Sequence, residues 1–238
     1  TAGHAQNYFG FIGNHLEELA IKLQQVDVVR QPQAVLPLLQ EFTGKYPELG
    51  GAAVVMPDGG VVAETLKKRV GKPTQTLANS PWYEDFQLNL AITGLSVNRP
   101  QICDATHSWV IPLRYTVRGS GGKVLYVLQT AIPLDKQQAL WANLNLPEGV
   151  VISLLRDDGY QISRLPMVDP ARLYSAKHRN RDLLALLQAG VNAGYFTGAS
   201  MDGVERFGTV HRLNNYPLYA LISASTALHR QIGWRSVR

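Results

Sequence analysis

The feature that most constrains this sequence is an internal repeat of roughly 100 residues. MPDGG (56–60) matches RDDGY (156–160), and each follows a short apolar run. Residues 109–114 can be laid over 207–212, because each stretch begins with an aromatic residue and ends with arginine. YVLQTAIPLDKQQALW (126–141) can be laid over YALISASTALHRQIGW (219–234), with Tyr, Leu, Ala, Gln and Trp identical in register. Three matches in the same order predict two related modules.

Each module is predicted to be α+β, with a five-stranded antiparallel sheet flanked by helices. The turn at 57–60 joins two apolar runs through Asp-Gly, which is a strong hairpin signal, and 157–159 repeats it. Helices are predicted over 81–92, with Ser80 as N-cap, over 134–144, over 181–189 and from 226 onward. The predicted strands cover 52–56, 61–65, 100–104, 109–118, 123–132, 150–156, 160–165, 195–201, 204–213 and 216–223.

A long helix is predicted to precede the two modules. Over residues 8–29, apolar residues recur at alternating spacings of four and three, at Ile12, Leu16, Leu19, Leu23 and Val26. This seam has two interpretations: an ordinary amphipathic helix that packs on its own domain, or a stalk that also pairs with a second copy. Gln31-Pro32 ends the helix, and a shorter helix is predicted over 33–46.

Composition excludes several classes of protein. The charge of +5 comes from only 17% charged residues, which is too weak a bias to indicate nucleic-acid binding. Cys103 is the single cysteine, so neither an internal disulfide nor a cysteine zinc site can form. No apolar run is long enough to span a membrane, and no signal peptide is visible. The abrupt ends lead us to expect a piece of a longer protein.

Catalytic and metal-binding motifs are not found in the sequence. It contains neither a Gly-x-Ser-x-Gly elbow nor a Walker or dinucleotide-binding glycine loop. The six histidines are scattered, with no pair at metal-ligand spacing. The acids beside glycine at 58, 157, 158 and 202 are predicted to serve turn geometry rather than calcium. We therefore predict no enzymatic activity, no cofactor and no metal.

Four segments of the sequence resemble double Cache domains, which are the tandem PAS-like extracellular sensors of bacterial transmembrane receptors. They are YPELGGAAVVMPDGGVVAET (46–65), SWVIPLRYTV (108–117), VISLLRDDGYQISRLP (151–166) and DGVERFGTVHRLNNYPLYALISAS (202–225). The last two are similar to sensors attached to diguanylate cyclases and cyclic-di-GMP phosphodiesterases. The resemblance implies a stalk helix (1–30), a membrane-distal module (31–146), a membrane-proximal module (147–225) and a C-terminal helix (226–238) that leads to a transmembrane segment.

The resemblance also implies a function and a location. Such a domain lies in the periplasm as part of an inner-membrane protein, binds a small molecule in the distal module and forms a homodimer through its N-terminal helix. A cyclic-di-GMP output is favoured. The alternatives are a histidine kinase or chemoreceptor sensor domain, or a periplasmic interaction and dimerisation module that has no small-molecule ligand.

One comparison with the family concerns the ligand. Amino-acid receptors of this family resemble one another in a Tyr-x4-Arg-x-Trp-Tyr stretch followed by an Asp in the last distal strand. This chain has Trp82-Tyr83, but Gln75, Ser80 and Ala131 stand where the Tyr, Arg and Asp would fall. Without those charges, a zwitterion would be buried unpaired. The expected ligand is therefore not an amino acid bound in the standard way.

The candidate ligand site combines aromatic and polar residues of the distal module, as small-molecule pockets do. The alternative is that its aromatic residues belong to the core. Arg114 and Arg212 fall at matching repeat positions in the alignment above, which favours a structural role for Arg114 over ligand binding. The predicted site residues are Trp82, Tyr83, Asp104, Trp109, Arg114 and Gln129.

Overall fold

The chain forms two compact units. A computed structural model describes residues 2–70, 77, 82–141 and 144–227. The first module comprises Phe9–Lys136, and the second comprises Thr1–Tyr8 together with Gln137–Arg238. The second unit thus begins before the linker at 143–149 that the sequence favours as the boundary.

The two N-terminal helices follow the predicted amphipathic pattern. Helix α1 (Ala2–Leu23) buries four seam residues within the chain, Ile12, Leu16, Leu19 and Leu23. Helix α2 (Pro32–Lys45) begins with proline, which needs no hydrogen-bonded N–H at that position, and packs on the sheet of the first module. The seam is therefore used inside the chain, as the first of its two interpretations predicts.

The first module has a seven-stranded antiparallel sheet with the strand order β3-β2-β1-β7-β6-β4, in which β5 pairs with β6 at the same edge. Helix α3 (Tyr83–Asn89) covers one face, where Phe86 packs against Val55 and Val127. A 3-10 helix (Leu134–Trp141) follows the sheet. The strands are β1 (Ala52–Val55), β2 (Val61–Glu64), β3 (Arg69–Val70), β4 (Gly94–Val97), β5 (Gln101–Ile102), β6 (Trp109–Arg118) and β7 (Val124–Pro133).

The second module has a five-stranded antiparallel sheet with the order β10-β11-β12-β8-β9. Helix α5 (Arg181–Gln188) covers one face, where Leu183 and Leu187 pack against the strands. Asn180 caps α5 by accepting a hydrogen bond from the backbone N–H of Leu183. The other elements are β8 (Val150–Arg156), β9 (Gln161–Leu165), α4 (Pro170–Tyr174), β10 (Ala193–Ala199), β11 (Glu205–Arg212) and β12 (Leu218–Ser225).

The structure confirms the internal repeat. The order β2-β1-β7-β6-β4 in the first module equals β9-β8-β12-β11-β10 in the second. Both first hairpins also carry a bulge at the same place, between Val54 and Val55 and between Leu154 and Leu155. A bulge inserts one residue into one strand of a pair, so it fixes the register of the repeat.

This register corrects the sequence alignment of the later strands. Counted from the bulge through the paired strands, the residue of β11 that corresponds to Arg114 is Val210, not Arg212. Arg212 is exposed and lies two residues further along its strand. The repeat argument for a structural role of Arg114 therefore no longer holds.

Several predicted elements differ from the structure. The strand of the first module that is equivalent to β10 is β4, whereas the strand predicted at 100–104 is only the two-residue β5. The sheet has seven strands rather than five because β3 and β5 extend its edges. Within the helix predicted at 134–144, Leu134–Trp141 form a 3-10 helix, and residues 142 and 143 lie outside the described residues. Ser80, the start of the helix predicted at 81, and residues 228–238 lie outside the described residues.

Candidate functional site

The first module contains a cavity of about 130 Å³. It borders the sheet face that α3 covers, and its wall includes Ala53 and Val55 of β1 and Val110 and Pro112 of β6. The segment 101–105 closes another side.

Three of the six predicted site residues line this cavity: Trp82, Asp104 and Gln129. Trp82 stands at the N-cap of α3, and the guanidinium group of Arg99 lies 5.4 Å from the centre of its ring. This distance is within the range of a cation–π interaction, which helps to fix the indole. Asp104 is exposed at the mouth of the cavity. The wall thus combines an aromatic ring, an amide and a carboxylate.

Arg114 lies behind Gln129 on the same sheet face. The two residues oppose each other across β6 and β7, and Arg114 Nε donates a hydrogen bond of 3.0 Å to Gln129 Oε1. The side chain of Arg114 is only 1% exposed, and its guanidinium group lies 5.5 Å from the centre of the Phe86 ring. This hydrogen bond fixes the orientation of the Gln129 amide, because its carbonyl oxygen must face Arg114. Arg114 therefore positions a wall residue of the cavity.

Tyr83 and Trp109 are not among the residues that line the cavity. The hydroxyl of Tyr83 donates a hydrogen bond to the carbonyl oxygen of Asp58, and its ring stacks on Phe86, so Tyr83 belongs to the packing of α3. Trp109 is an odd-numbered residue of β6, and strand alternation places it on the face opposite to Arg114. The structure therefore does not bring these two predicted site residues to the wall of this cavity.

Charged residues that the sequence reasoning missed also line the cavity. Glu64, at the end of β2, and Lys67, in the following turn, stand in the wall together with Asp104. The wall therefore carries two carboxylates and one ammonium group. Acids and lysines near a hairpin end are usually solvated, so the positions of Glu64 and Lys67 could not be predicted from the sequence. Ala131 of β7 is also part of the wall, where its small side chain leaves space.

In the part of the chain that the structure describes, no group of three or more His, Cys, Asp or Glu side chains could hold a metal ion. None of the helices within residues 2–70, 82–141 and 144–227 is both long enough and apolar enough to cross a membrane.

Solved structures show which fold this chain has. The extracellular domain of rpHK1S-Z16, a protein assigned as a histidine kinase, has a TM-score of 0.67 at 21% identity and covers 94% of this chain and 89% of its own. The ligand-binding domain of the Pseudomonas aeruginosa PAO1 chemoreceptor PctB, solved with L-Arg, has a TM-score of 0.65 at 17% identity, with coverages of 96% and 92%. The Pseudomonas fluorescens chemoreceptor CtaA, solved with L-isoleucine, has a TM-score of 0.65 at 15% identity, with coverages of 97% and 90%.

The fold is that of extracellular sensor domains. This agreement extends over both modules, because each structure covers more than nine tenths of the chain. No protein-family model and no curated protein matches the sequence. The similar structures belong to a histidine kinase and to chemoreceptors, which is the class predicted as an alternative. They give no support to the cyclic-di-GMP output that the sequence resemblance favours.

Proposed function

We propose that this chain is the ligand-sensing domain of a bacterial transmembrane signalling receptor, located in the periplasm. The observation that carries the proposal is the first-module cavity, which combines apolar strand residues, Trp82 and three charged groups beneath α3. Pockets that bind small molecules have this composition. The fold of the chain, shared with sensor domains, supports the same function. We favour a histidine kinase or chemoreceptor as the full receptor.

The chemistry of the wall bears on the ligand. The family motif predicts that the ligand is not an amino acid, but PctB and CtaA were solved with amino acids, which weighs against this exclusion. Of the three residues on which the exclusion depends, Gln75 and Ser80 lie outside the described residues, and Ala131 lines the cavity. A wall with Glu64, Lys67 and Asp104 offers partners for both an ammonium and a carboxylate group. We therefore propose a small polar ligand and include amino acids among the candidates.

The signal is proposed to arise from differential affinity. A ligand that binds one arrangement of α3 and the strands beneath it better than another shifts the equilibrium between them. Coupling of this kind is usually worth about 1–3 kcal/mol. The proposed output path is the C-terminal helix predicted at 226–238, of which residues 228–238 lie outside the described part.

Homodimerisation through α1 is part of the same proposal. The buried seam of α1 is used within the chain, so a second copy would have to contact its other side. That side exposes two large apolar residues, Phe11 (50% exposed) and Ile21 (57% exposed). Both belong to one exposed stripe of α1 with spacings of three and four, at positions 4, 7, 11, 14, 18 and 21. Phe11 and Ile21 would be the apolar contacts of a pairing with the same helix of a partner.

Thermal unfolding of the purified domain tests the proposed function. The panel consists of the twenty L-amino acids and of small carboxylates and amines with up to about five carbon atoms. At least one compound should raise the melting temperature in a saturable way, because a ligand that binds only the folded state stabilises it. If no compound does so while a periplasmic protein does, the domain is an interaction module and the sensor proposal is wrong.

A further inference from the structure

The second module contains a buried cluster of two arginines and one aspartate. Arg164 Nη2 lies 2.6 Å from Asp202 Oδ2, and Arg206 Nη2 lies 3.1 Å from the same oxygen. The other carboxylate oxygen of Asp202 accepts a hydrogen bond from the backbone N–H of Val204. The side chains of Arg164 and Arg206 are 3% and 8% exposed. Two buried positive charges therefore share one negative charge.

The nearby titratable residue does not balance this charge. His178 is buried beside the cluster, and burial, together with the positive charge of Arg164, lowers its pKa to about 4. It is therefore neutral at physiological pH. Neutral His178 leaves the cluster with a net charge of +1, and an uncompensated buried charge is costly.

The cluster also has unused hydrogen-bond donors. Arg164 donates from Nε to the carbonyl oxygen of Pro166 and from Nη2 to Asp202, and Arg206 donates from Nη1 to the carbonyl oxygen of Gly149. Arg164 Nη1 and Arg206 Nε are buried and have no hydrogen-bond partner among the described residues. Buried N–H groups almost always have a partner in folded proteins. Excess positive charge and free donors at one place are the features that bind an anion.

The repeat places these arginines at a ligand-site position. In the register fixed by the shared bulge, Arg164 corresponds to Glu64. Glu64 pairs with Ala53 and Arg164 pairs with Ser153, and each of these partners lies one residue before the bulge of its strand. Arg206 corresponds to Val110 in the same register. Glu64 and Val110 both line the first-module cavity. The second module thus carries two guanidinium groups where the first module has an acid and an apolar residue.

An open cleft lies next to the cluster. It has a volume of about 580 Å³, and its wall includes Ser200, Met201 and Gly203, which flank Asp202. The basic side chains of the cleft are the exposed Arg172, Arg179 and Arg181, against the single acid Asp182. Positive charges along a cleft attract and concentrate anions. The cleft therefore gives an anion a favourable approach to the turn that holds Asp202.

We propose that the second module has its own ligand site, in which the Arg164–Asp202–Arg206 cluster binds a small dissolved anion that carries a carboxylate or phosphate group. The site is separate from the first-module cavity, so its success or failure does not depend on the ligand of that cavity. An oxyanion would supply the missing negative charge and accept hydrogen bonds from Arg164 Nη1 and Arg206 Nε.

Calorimetric titration of the whole domain with sodium acetate and with inorganic phosphate tests this proposal, at ionic strength held constant with sodium chloride. At least one of the two anions should bind saturably, with saturation by about 10 mM. The Arg206→Lys variant keeps the charge but lacks the Nε donor and the planar fork, so it should bind at least about tenfold more weakly. Arg181→Gln, at the exposed rim, should weaken binding about two- to fivefold through lost attraction.

Two further results decide the interpretation. The control Arg30→Gln removes an exposed arginine of another region, 87% exposed, and should leave anion binding unchanged. If Arg206→Lys does not fold, the effect of Arg181→Gln on anion binding decides whether the anion binds in the second module. The exposed side chain of Arg181 can be replaced without disturbing the core. The proposal is overturned if neither anion binds at constant ionic strength, or if binding is the same in every folded variant.

Discussion

Acid should destabilise the second module through His178. This histidine is 7% exposed, and its pKa in the folded chain is lowered to about 4, first by burial and then by the charge of Arg164. In the unfolded chain its pKa is about 6.5. Between these values the unfolded chain binds one more proton than the folded chain, so stability falls as the pH is lowered through this window. The full contribution is about 3 kcal/mol, of which about 2 kcal/mol is lost by pH 5.

The assay is urea unfolding at a series of pH values from 7.5 to 4.5, followed by circular dichroism. The His178→Asn variant keeps an acceptor for the backbone N–H of Asn180 but does not titrate. Between pH 7 and 5, its free energy of unfolding should therefore fall by about 2 kcal/mol less than that of the wild type. His211→Gln, which removes an exposed histidine of the same module, should keep the wild-type slope. Equal slopes in the wild type and His178→Asn would refute the reasoning.

Two further predictions concern packing and assembly. In Gly208→Ala, the added Cβ would clash with the carbonyl oxygen of Ile222, so the free energy of unfolding in urea should fall by about 1–3 kcal/mol. Gly10→Ala, in open space on α1, should raise the free energy of unfolding by about 0.5–1 kcal/mol. An unchanged midpoint in Gly208→Ala would contradict the strand pairing. Ile21→Glu should weaken homodimerisation at least about tenfold, measured by sedimentation equilibrium, because it places a charge in the proposed interface. The control Leu88→Glu, at an exposed site on α3, should leave dimerisation unchanged. Equal dimerisation of both variants would rule out α1 as the interface.

The repeat and the hairpins could be predicted from the sequence because their signals are local. Asp-Gly between two apolar runs requires only a few residues, and the spacing of the α1 seam reports the buried side of one helix. Strand β4 was missed because Leu95, Ser96 and Val97 are all buried, so the strand shows no alternation. Helix α4 was also missed, although Asp169-Pro170 is the N-cap and first-position proline of a helix start.

The candidate site could be predicted only in part. Trp82, Asp104 and Gln129 line the cavity, but whether they bind a ligand stays a prediction. Trp109 and Arg114 lie on opposite faces by alternation along β6, so strand alternation separates two of the predicted site residues. The one-residue error in the alignment of β7 with β12 came from matching letters, whereas the true register depends on a bulge that only paired strands reveal.

Ligand titration of a cavity-filling variant tests the central claim most directly. Ala131→Leu adds three carbon atoms to the wall of the 130 Å³ cavity, and Ala176→Leu makes the same change in the cleft of the second module. The probe is the compound of the amino-acid, carboxylate and amine panel that stabilises the wild type most, and its affinity is measured by isothermal titration calorimetry. We predict that Ala131→Leu loses this binding by at least about tenfold while Ala176→Leu retains it. Equal binding by Ala131→Leu and the wild type would contradict a ligand site in the first module.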